Sequence, residues 1–521
     1  MEGTIFSLIP AVLMLLLVLL TRNIYISLGA GIIIGALFIH QFAILDSLKE
    51  IVTSFSSIFV SEGAPNIGNL LLLGFLLLLG IMTAFLQASG GSRAFGQWMI
   101  HRVKTRTGSQ AMTGVLGLII FIDDYFNSLA VGQIARPLTD RHRVSRAKLA
   151  YLIDSTSAPV TVISPISSWG AYIIGILGGL LATNGITDIQ PLEAFVQMIP
   201  LNFYALGAVL LVFIVAYFKL DIGPMRKHEK RAMETGELVD PEQKNIPGDL
   251  GNKITSHEKG KIYHLLVPII VLIAGTVAAM VYTGIIESGE NVTILTIFSN
   301  TNVNLSLFIG GVAAVLTALL FHVSQTKPKA STPKVFIEGI KTMLPAIYIL
   351  VLAWMIGSII STLETGQYLA ELVSNASISA SMLPLLFFLI SGFMALATGT
   401  SWGTFGIMLP IAAEVAAATD ATVLLPSLAA VLAGSVFGDH CTPISDTTIL
   451  SSTGAGSNHI DHVLTQLPYA VLAAIAASIG YLLVGLTNQV WLPLLITLII
   501  IIVVSIFLNF ISKTSTSKNR S

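Results

Sequence analysis

The chain has 521 residues, 54% of them hydrophobic and 11% charged, with a net charge of −1 at pH 7. So little charge cannot clothe a soluble domain of this size, and a balance near zero excludes the basic surface that nucleic acid requires. A single cysteine, Cys441, excludes an internal disulfide and a Cys-built zinc site.

Taken in chain order, apolar runs long enough to cross a bilayer, about 20 residues each, fall near residues 5–21, 24–44, 67–90, 149–180, 200–218, 263–285, 304–323, 342–362, 424–452, 463–487 and 490–511. The first run, from Ile5 to Leu20, lacks a basic leader and a small-residue cleavage site, and reads as a membrane helix rather than a signal peptide. Two further apolar segments, 110–138 and 380–419, are interrupted by IDDYFNS and ATGTSWG. The polar stretch 219–261 mixes both charge signs with Pro and Gly and reads as a solvated linker.

The interrupted segments decide the topology. If each crosses the membrane once, three basic loops fall outside, against the positive-inside rule. If each is a re-entrant hairpin, every Lys and Arg except Lys49 falls inside or at the inner boundary. The N-terminus is then outside and the C-terminus cytoplasmic. Each hairpin precedes an overlong span with a polar, proline-containing break, LIDSTSAPVTVISPIS and LAGSVFGDHCTPIS. Both breaks end in Pro-Ile-Ser, at 165–167 and 443–445.

The expected fold is therefore an all-α polytopic membrane protein, with about eleven transmembrane helices and two re-entrant hairpins in an inverted repeat. Its parts are scaffold helices over 1–90, a first repeat over 91–218 (hairpin 110–138, broken helix 149–180) and a cytoplasmic linker over 219–262. Further scaffold helices cover 263–362, a second repeat covers 380–487 (hairpin 380–419, broken helix 424–452), and a last helix and tail cover 490–521. A repeat of this kind belongs to secondary transporters, whose site lies between the repeats. No GxxxxGK[ST] motif is present, so ATP is not expected as a driver.

Irregular backbone at membrane depth is tolerated only where it lines a protein cavity, and intramembrane ionisable residues are costly and usually functional. The candidate site residues are therefore Asp123, Asp124 and Asn127, with Ser128, in the first hairpin, and Asp154, Ser155, Thr156 and Ser157 in the first broken helix. Thr398, Thr400 and Ser401, with Thr404, come from the second hairpin, and Asp439, His440, Thr442, Ser445 and Asp446, with Thr447, from the second broken helix. Five aspartates and no Lys or Arg occupy these breaks, and Arg136 lies only at the foot of the first hairpin. Carboxylates, hydroxyls and freed carbonyls form a hard oxygen set, suited to Na+ and to protons at a subset of these residues.

Of the adjacent pair Asp123 and Asp124, one is expected to face the site and the other to cap a half-helix. Asp446 reads equally as ligand or cap, and His440 equally as proton relay or structural histidine. Cys441 reads as a small buried side chain, and Glu414 as a group near solvent. His459, Asp461 and His462 read as a cytoplasmic turn that only superficially resembles a metal cluster.

FIDDYFNSLAVGQIARPLTD, KLAYLIDSTSAPVTVISPISSWGAYI and GDHCTPISDTTILSS together resemble the NhaC-type Na+/H+ antiporter family, within the ion-transporter superfamily of elevator carriers. The resemblance runs from about Leu70 to Leu486. It implies Na+/H+ exchange at the cytoplasmic (inner) membrane of a prokaryote, by a homodimer of scaffold domains flanked by mobile transport domains. Na+ and H+ are the expected transported ions, the lipid bilayer is the surrounding partner, and no other cofactor is expected. Some members of the family exchange malate and lactate or carry amino acids, so coupled transport of an organic acid or amino acid is the alternative reading. An enzyme is not expected: an intramembrane aspartyl protease would want GxGD, whereas Asp439 sits in VFGDH.

Overall fold

The computed structural model describes all residues except 22, 62, 122, 166, 184–188, 244–253, 255, 290–291, 326–329, 366, 369–370, 372–378 and 519–521. Helices account for nearly all of the ordered backbone, and one two-stranded hairpin pairs Val60–Ser61 with Ala64–Pro65. In chain order the helices are α1 (Ile9–Thr21), α2 (Ile24–Ile39), α3 (Ile44–Phe59), α4 (Ile67–Ala88), α5 (Gly91–Arg102), α6 (Arg106–Ile119), α7 (Asp124–Arg141) and α8 (Arg146–Val162). They continue as α9 (Ser168–Thr183), α10 (Pro191–Met198), α11 (Phe203–Phe218), α12 (Pro224–Glu234), α13 (Tyr263–Ser288), α14 (Ile294–Ser299), α15 (Val303–Ser324) and α16 (Thr332–Thr362). The last are α17 (Leu383–Thr398), α18 (Ser401–Thr419), α19 (Leu424–Cys441), α20 (Asp446–Ala455), α21 (His459–Thr487) and α22 (Trp491–Lys518).

Among the described residues, nine helices are long and apolar enough to cross a membrane, or ten if the pair bent by 50° at Asn202 is one span. The expected second span, 24–44, is shorter than the sequence suggests, because α2 stops at Ile39 and α3 follows as a separate amphipathic helix. The segment 149–180 is divided between α8 and α9, and 424–452 between α19 and α20. α6 ends at Ile119 before α7 begins at Asp124, and α17 ends at Thr398 before α18 begins at Ser401, where the sequence places its two interruptions.

Among the described residues three apolar clusters form the interior, two of them large. One joins α1 to α4 with α13, α15 and α16, and takes in parts of α7, α8 and α20. The other joins α9 to α11 with α17 to α19 and α21. Lipid tails are as apolar as Leu, so helix association within the membrane depends on close packing at small residues. A Cβ added to Gly80 would lie 2.4 Å from Gly339 O, which lets α4 and α16 cross in contact. Likewise a Cβ on Gly132 would lie 2.5 Å from the Gly454 carbonyl carbon, where α7 crosses α20. The second crossing holds the first hairpin against the second broken helix.

The linker is more structured than its composition predicts. Pro224 starts α12, and Met225, His228, Glu229 and Ala232 share its buried face. Glu229 pairs with Arg106 and lies 3.0 Å from Lys148 Nζ, and Lys148 also pairs with Asp221. Lys148 and Glu229 are both fully enclosed. At its far end the linker meets α4 and α5, where Arg93 donates to Glu258 O at 2.6 Å and His257 N to Ala88 O at 2.9 Å. The helical spacing of Met225, His228, Glu229 and Ala232 was present in the sequence, but the surrounding charges of α12 masked it.

Candidate functional site

The four breaks converge where the two large apolar clusters meet. Asp123 caps α7: its Oδ1 accepts from Phe126 N at 3.0 Å and its Oδ2 from Ser168 Oγ at 2.8 Å. Asp124 accepts from Trp169 Nε1 on Oδ1 at 2.9 Å, while its Oδ2 is buried without a hydrogen-bond partner. Both aspartates line an open cavity of about 700 Å³, with Tyr125, Glu287, Asn300 to Asn304, Thr400 and Trp402. Among these lining residues there is no Lys, Arg or His.

Asn127 closes the turn of the first hairpin. Its Nδ2 donates to Gly117 O and Ile120 O at 2.8 and 2.6 Å, satisfying carbonyls at the end of α6, and lies 3.2 Å from Thr156 O of α8, and its Oδ1 is buried and unpaired. Ser157 Oγ donates to Asp124 O at 2.7 Å and accepts from Ser128 Oγ at 2.9 Å. Thr156 bonds back to its own helix at Leu152 O, and Ser155 lies in a tight cleft with Tyr151, Tyr204 and His440. The first break is held by Ser167, whose Oγ donates to Thr161 O and Ser164 O at 2.8 Å each.

At the break between α19 and α20, Asp439 Oδ2 accepts from Thr447 Oγ1 at 2.7 Å, and its Oδ1 is buried and unpaired. Asp446 receives the phenol of Tyr125 and the amide of Thr447, so Tyr125 ties the first hairpin to α20. Ser445, not Asp446, is the N-cap of α20, and Thr442 Oγ1 is another buried unpaired oxygen. His440 Nδ1 lies 2.9 Å from Tyr204 Oη. The hydroxyls of the second hairpin mostly serve their own backbone. Thr398 bonds Met394 O, Thr404 bonds Thr400 O and Ser401 bonds Ser435 O, leaving Thr400 as the only one of them on the cavity wall. Gly399 turns this hairpin with φ +76°, and a Cβ there would lie 2.9 Å from Ile444 O.

Asp154 lies deeper and is fully enclosed. Its Oδ1 accepts from Ser451 Oγ at 2.9 Å, and its Oδ2 meets Thr448 Oγ1 at 3.2 Å, His462 Nε2 at 3.3 Å and Gln466 Nε2 at 2.6 Å. The reading of His462 as part of a turn is corrected: α21 begins at His459, so His462 stands in its first helical turn and faces inward, with no solvent exposure. Cys441 is buried and Glu414 exposed. Among the described residues no three His, Cys, Asp or Glu side chains form a transition-metal site. Sequence reasoning missed Tyr125, Ser168, Trp169, Thr448, Ser451, His462 and Gln466. The one available signal was His462 and Gln466, polar and four apart at the head of an apolar helix.

The arrangement separates two kinds of carboxylate. Asp154 has a donor on each oxygen, whereas Asp124 and Asp439 each keep a free buried oxygen. Asp439 also lies within electrostatic range of Asp446, Asp154 and Asp124. A buried oxygen with no donor is costly unless something positive meets it, and a small cation or a proton would do so.

A family model described as the Na+/H+ antiporter family matches residues 160–486. An uncharacterized protein of Haemophilus influenzae is 47% identical over 93% of this chain and 92% of its own length. The malate-2H(+)/Na(+)-lactate antiporter of Bacillus subtilis is 30% identical over 36% of this chain and 39% of that protein. An uncharacterized Na(+)/H(+) antiporter of Haemophilus influenzae is 34% identical over 26% of this chain and 30% of that protein. Among solved structures, Neisseria gonorrhoeae MtrF aligns over 84% of each chain, at 15% identity and a TM-score of 0.31.

Proposed function

Because the chain belongs to the Na+/H+ antiporter family, we propose that it is a secondary transporter exchanging Na+ for H+ across the cytoplasmic membrane. The observation that carries this reading is the set of buried, unpaired oxygens on Asp124, Asn127, Asp439 and Thr442, gathered at helix breaks that hold no Lys or Arg. Hard oxygen ligands without a competing base suit a monovalent cation. Asp124 Oδ2, on the cavity wall, and Asp439 Oδ1, behind it, are the first candidates to receive Na+.

In this reading Na+ and protons compete for one set of buried aspartates, because the cluster tolerates little net negative charge away from water. Loading by one ion discharges the other, and a neutralised site can pass the apolar barrier. The segments 110–138 and 380–419 act as re-entrant hairpins in a mobile transport domain, and a homodimer of scaffold domains supports it. The N-terminus is outside and the C-terminus cytoplasmic. The cavity bounded by Glu287 and Asn300 then opens outward.

The deciding experiment uses purified protein in liposomes with an internal pH dye and an imposed proton gradient. Proton movement on adding Na+ alone supports the exchange reading, and its absence in well-folded protein overturns it. A second reading, coupled transport of an organic acid, draws on the cavity of about 700 Å³, far larger than a bare Na+ needs, and on similarity to a malate/lactate antiporter over 36% of this chain. It requires that proton movement wait for malate or lactate in the same assay.

A further inference from the structure

The run His459-Ile460-Asp461-His462 sends its three polar side chains to three places. His459 Nε2 lies 2.7 Å from Pro443 O, at the break between α19 and α20. Asp461 lies 4.0 Å from His228 on α12. His462 turns into the core, with its Nε2 3.3 Å from Asp154 Oδ2 and its Nδ1 buried and unpaired. One turn later Gln466 Nε2 donates to the same carboxylate oxygen and, at 3.1 Å, to His440 O.

With Thr448 and Ser451, this gives the Asp154 carboxylate four side-chain partners. Three of these donors fall on Oδ2 and Ser451 meets Oδ1, so neither oxygen of Asp154 is without a partner. Asp124 and Asp439 differ in this respect, each keeping an unpaired oxygen. A carboxylate enclosed at this depth needs a positive partner, and an ion pair with His462 is the one salt bridge it makes among the described residues.

We propose that Asp154 and His462 form the proton-carrying pair of the exchange, with Gln466 positioning the carboxylate. The proposal rests on the Na+/H+ exchange reading. With a proton on His462 the pair is neutral. When that proton leaves for water on one side of the membrane, the pair carries one negative charge within electrostatic range of Asp439, and the cation is the charge that balances it. The proton is regained from water on the other side.

The charged and titratable groups around His462 are few. Asp154 faces it from α8, and His440 and Asp439 come from α19, with Tyr204 of α11 bonded to His440. His459 shares its helix, and Asp446 stands at the head of α20. His228 of α12 meets Asp461 rather than His462. The apolar sequence of α17 offers no titratable side chain, and neither does α22 before Lys513.

The test counts protons released per Na+ bound, by calorimetry of the purified full-length protein in buffers of different ionisation enthalpy. Wild type should release protons on binding Na+. His462→Gln, which keeps a donor but cannot titrate, should bind Na+ with the release reduced by about one proton, since one titrating group is removed. Gln466→Ala keeps the ring and should retain the proton count while moving its pH midpoint. A His462→Gln protein that releases as many protons as wild type overturns the pairing. If that variant does not fold, an unmoved midpoint in Gln466→Ala overturns it instead. Wild type that moves no protons in the liposome assay would sink the exchange reading itself, so the two failures are separable.

Discussion

At the scale of the residue, the decisive contrast is between carboxylate oxygens that are satisfied and those that are not. Asp439→Asn should remove a ligand while keeping nearly the same volume. Breaking one side of a buried charged contact costs roughly 3–5 kcal/mol, so Na+ affinity should fall by at least about 100-fold, read as lost Na+-dependent proton movement at an unchanged thermal midpoint. Asp124→Asn should behave alike, because its Oδ2 is the other unpaired carboxylate oxygen at the breaks. Wild-type exchange in either variant would remove that residue from the site. Sequence reading reached these aspartates because charge inside an apolar run is conspicuous. It could not rank them, since the donors to Asp154 come from α20 and α21, some 300 residues further along the chain.

At the scale of the element, the breaks were legible and the crossings were not. Pro and a polar cluster inside an apolar run mark an interruption at 163–167 and again at 442–445. Which helices then touch depends on glycines that look ordinary in sequence. Gly132→Ala places a methyl group 2.5 Å from the Gly454 backbone, and overpacking of this kind typically costs about 1–3 kcal/mol. The predicted result is a lower thermal midpoint, whereas Gly175→Ala, with nothing near its added Cβ, should leave it unchanged. The linker misled for a different reason, because α12 buries charges instead of apolar residues. Burial alone would raise the Glu229 carboxyl, but Lys148 and Arg106 outweigh it and hold it below the ordinary value. Asp221, nearer the rim, is pushed up, burial there outweighing Lys148. Glu229 therefore stabilises the fold fully above the ordinary glutamate value of about 4.3, and this contribution is lost as pH falls through its depressed value. Glu229→Gln should lower stability at pH 7 by about 3–5 kcal/mol, with the difference from wild type shrinking in acid.

At the scale of the molecule, hydropathy leads the sequence to expect about eleven spans where nine or ten helices among the described residues are long and apolar enough to cross, and the expected sidedness rests on where Lys and Arg lie. With Cys441→Ser as background, a cysteine at Lys49 should react with an impermeant maleimide added to intact cells, and one at Lys230 only after the membrane is opened. The reverse pattern would invert the topology and turn the cavity at Asp123 toward the cytoplasm. The enclosed ion cluster beneath α8 also bears on the order of synthesis. Lys148 leaves the ribosome 73 residues before Asp221 and 81 before Glu229. Until those acids emerge, the first half of the nascent chain carries a lysine that has no carboxylate to close over it. A gene divided ahead of Asp221 would leave that half waiting for a neutralising fragment made separately, whereas one divided after Gln243 would deliver lysine and acids on the same translation product.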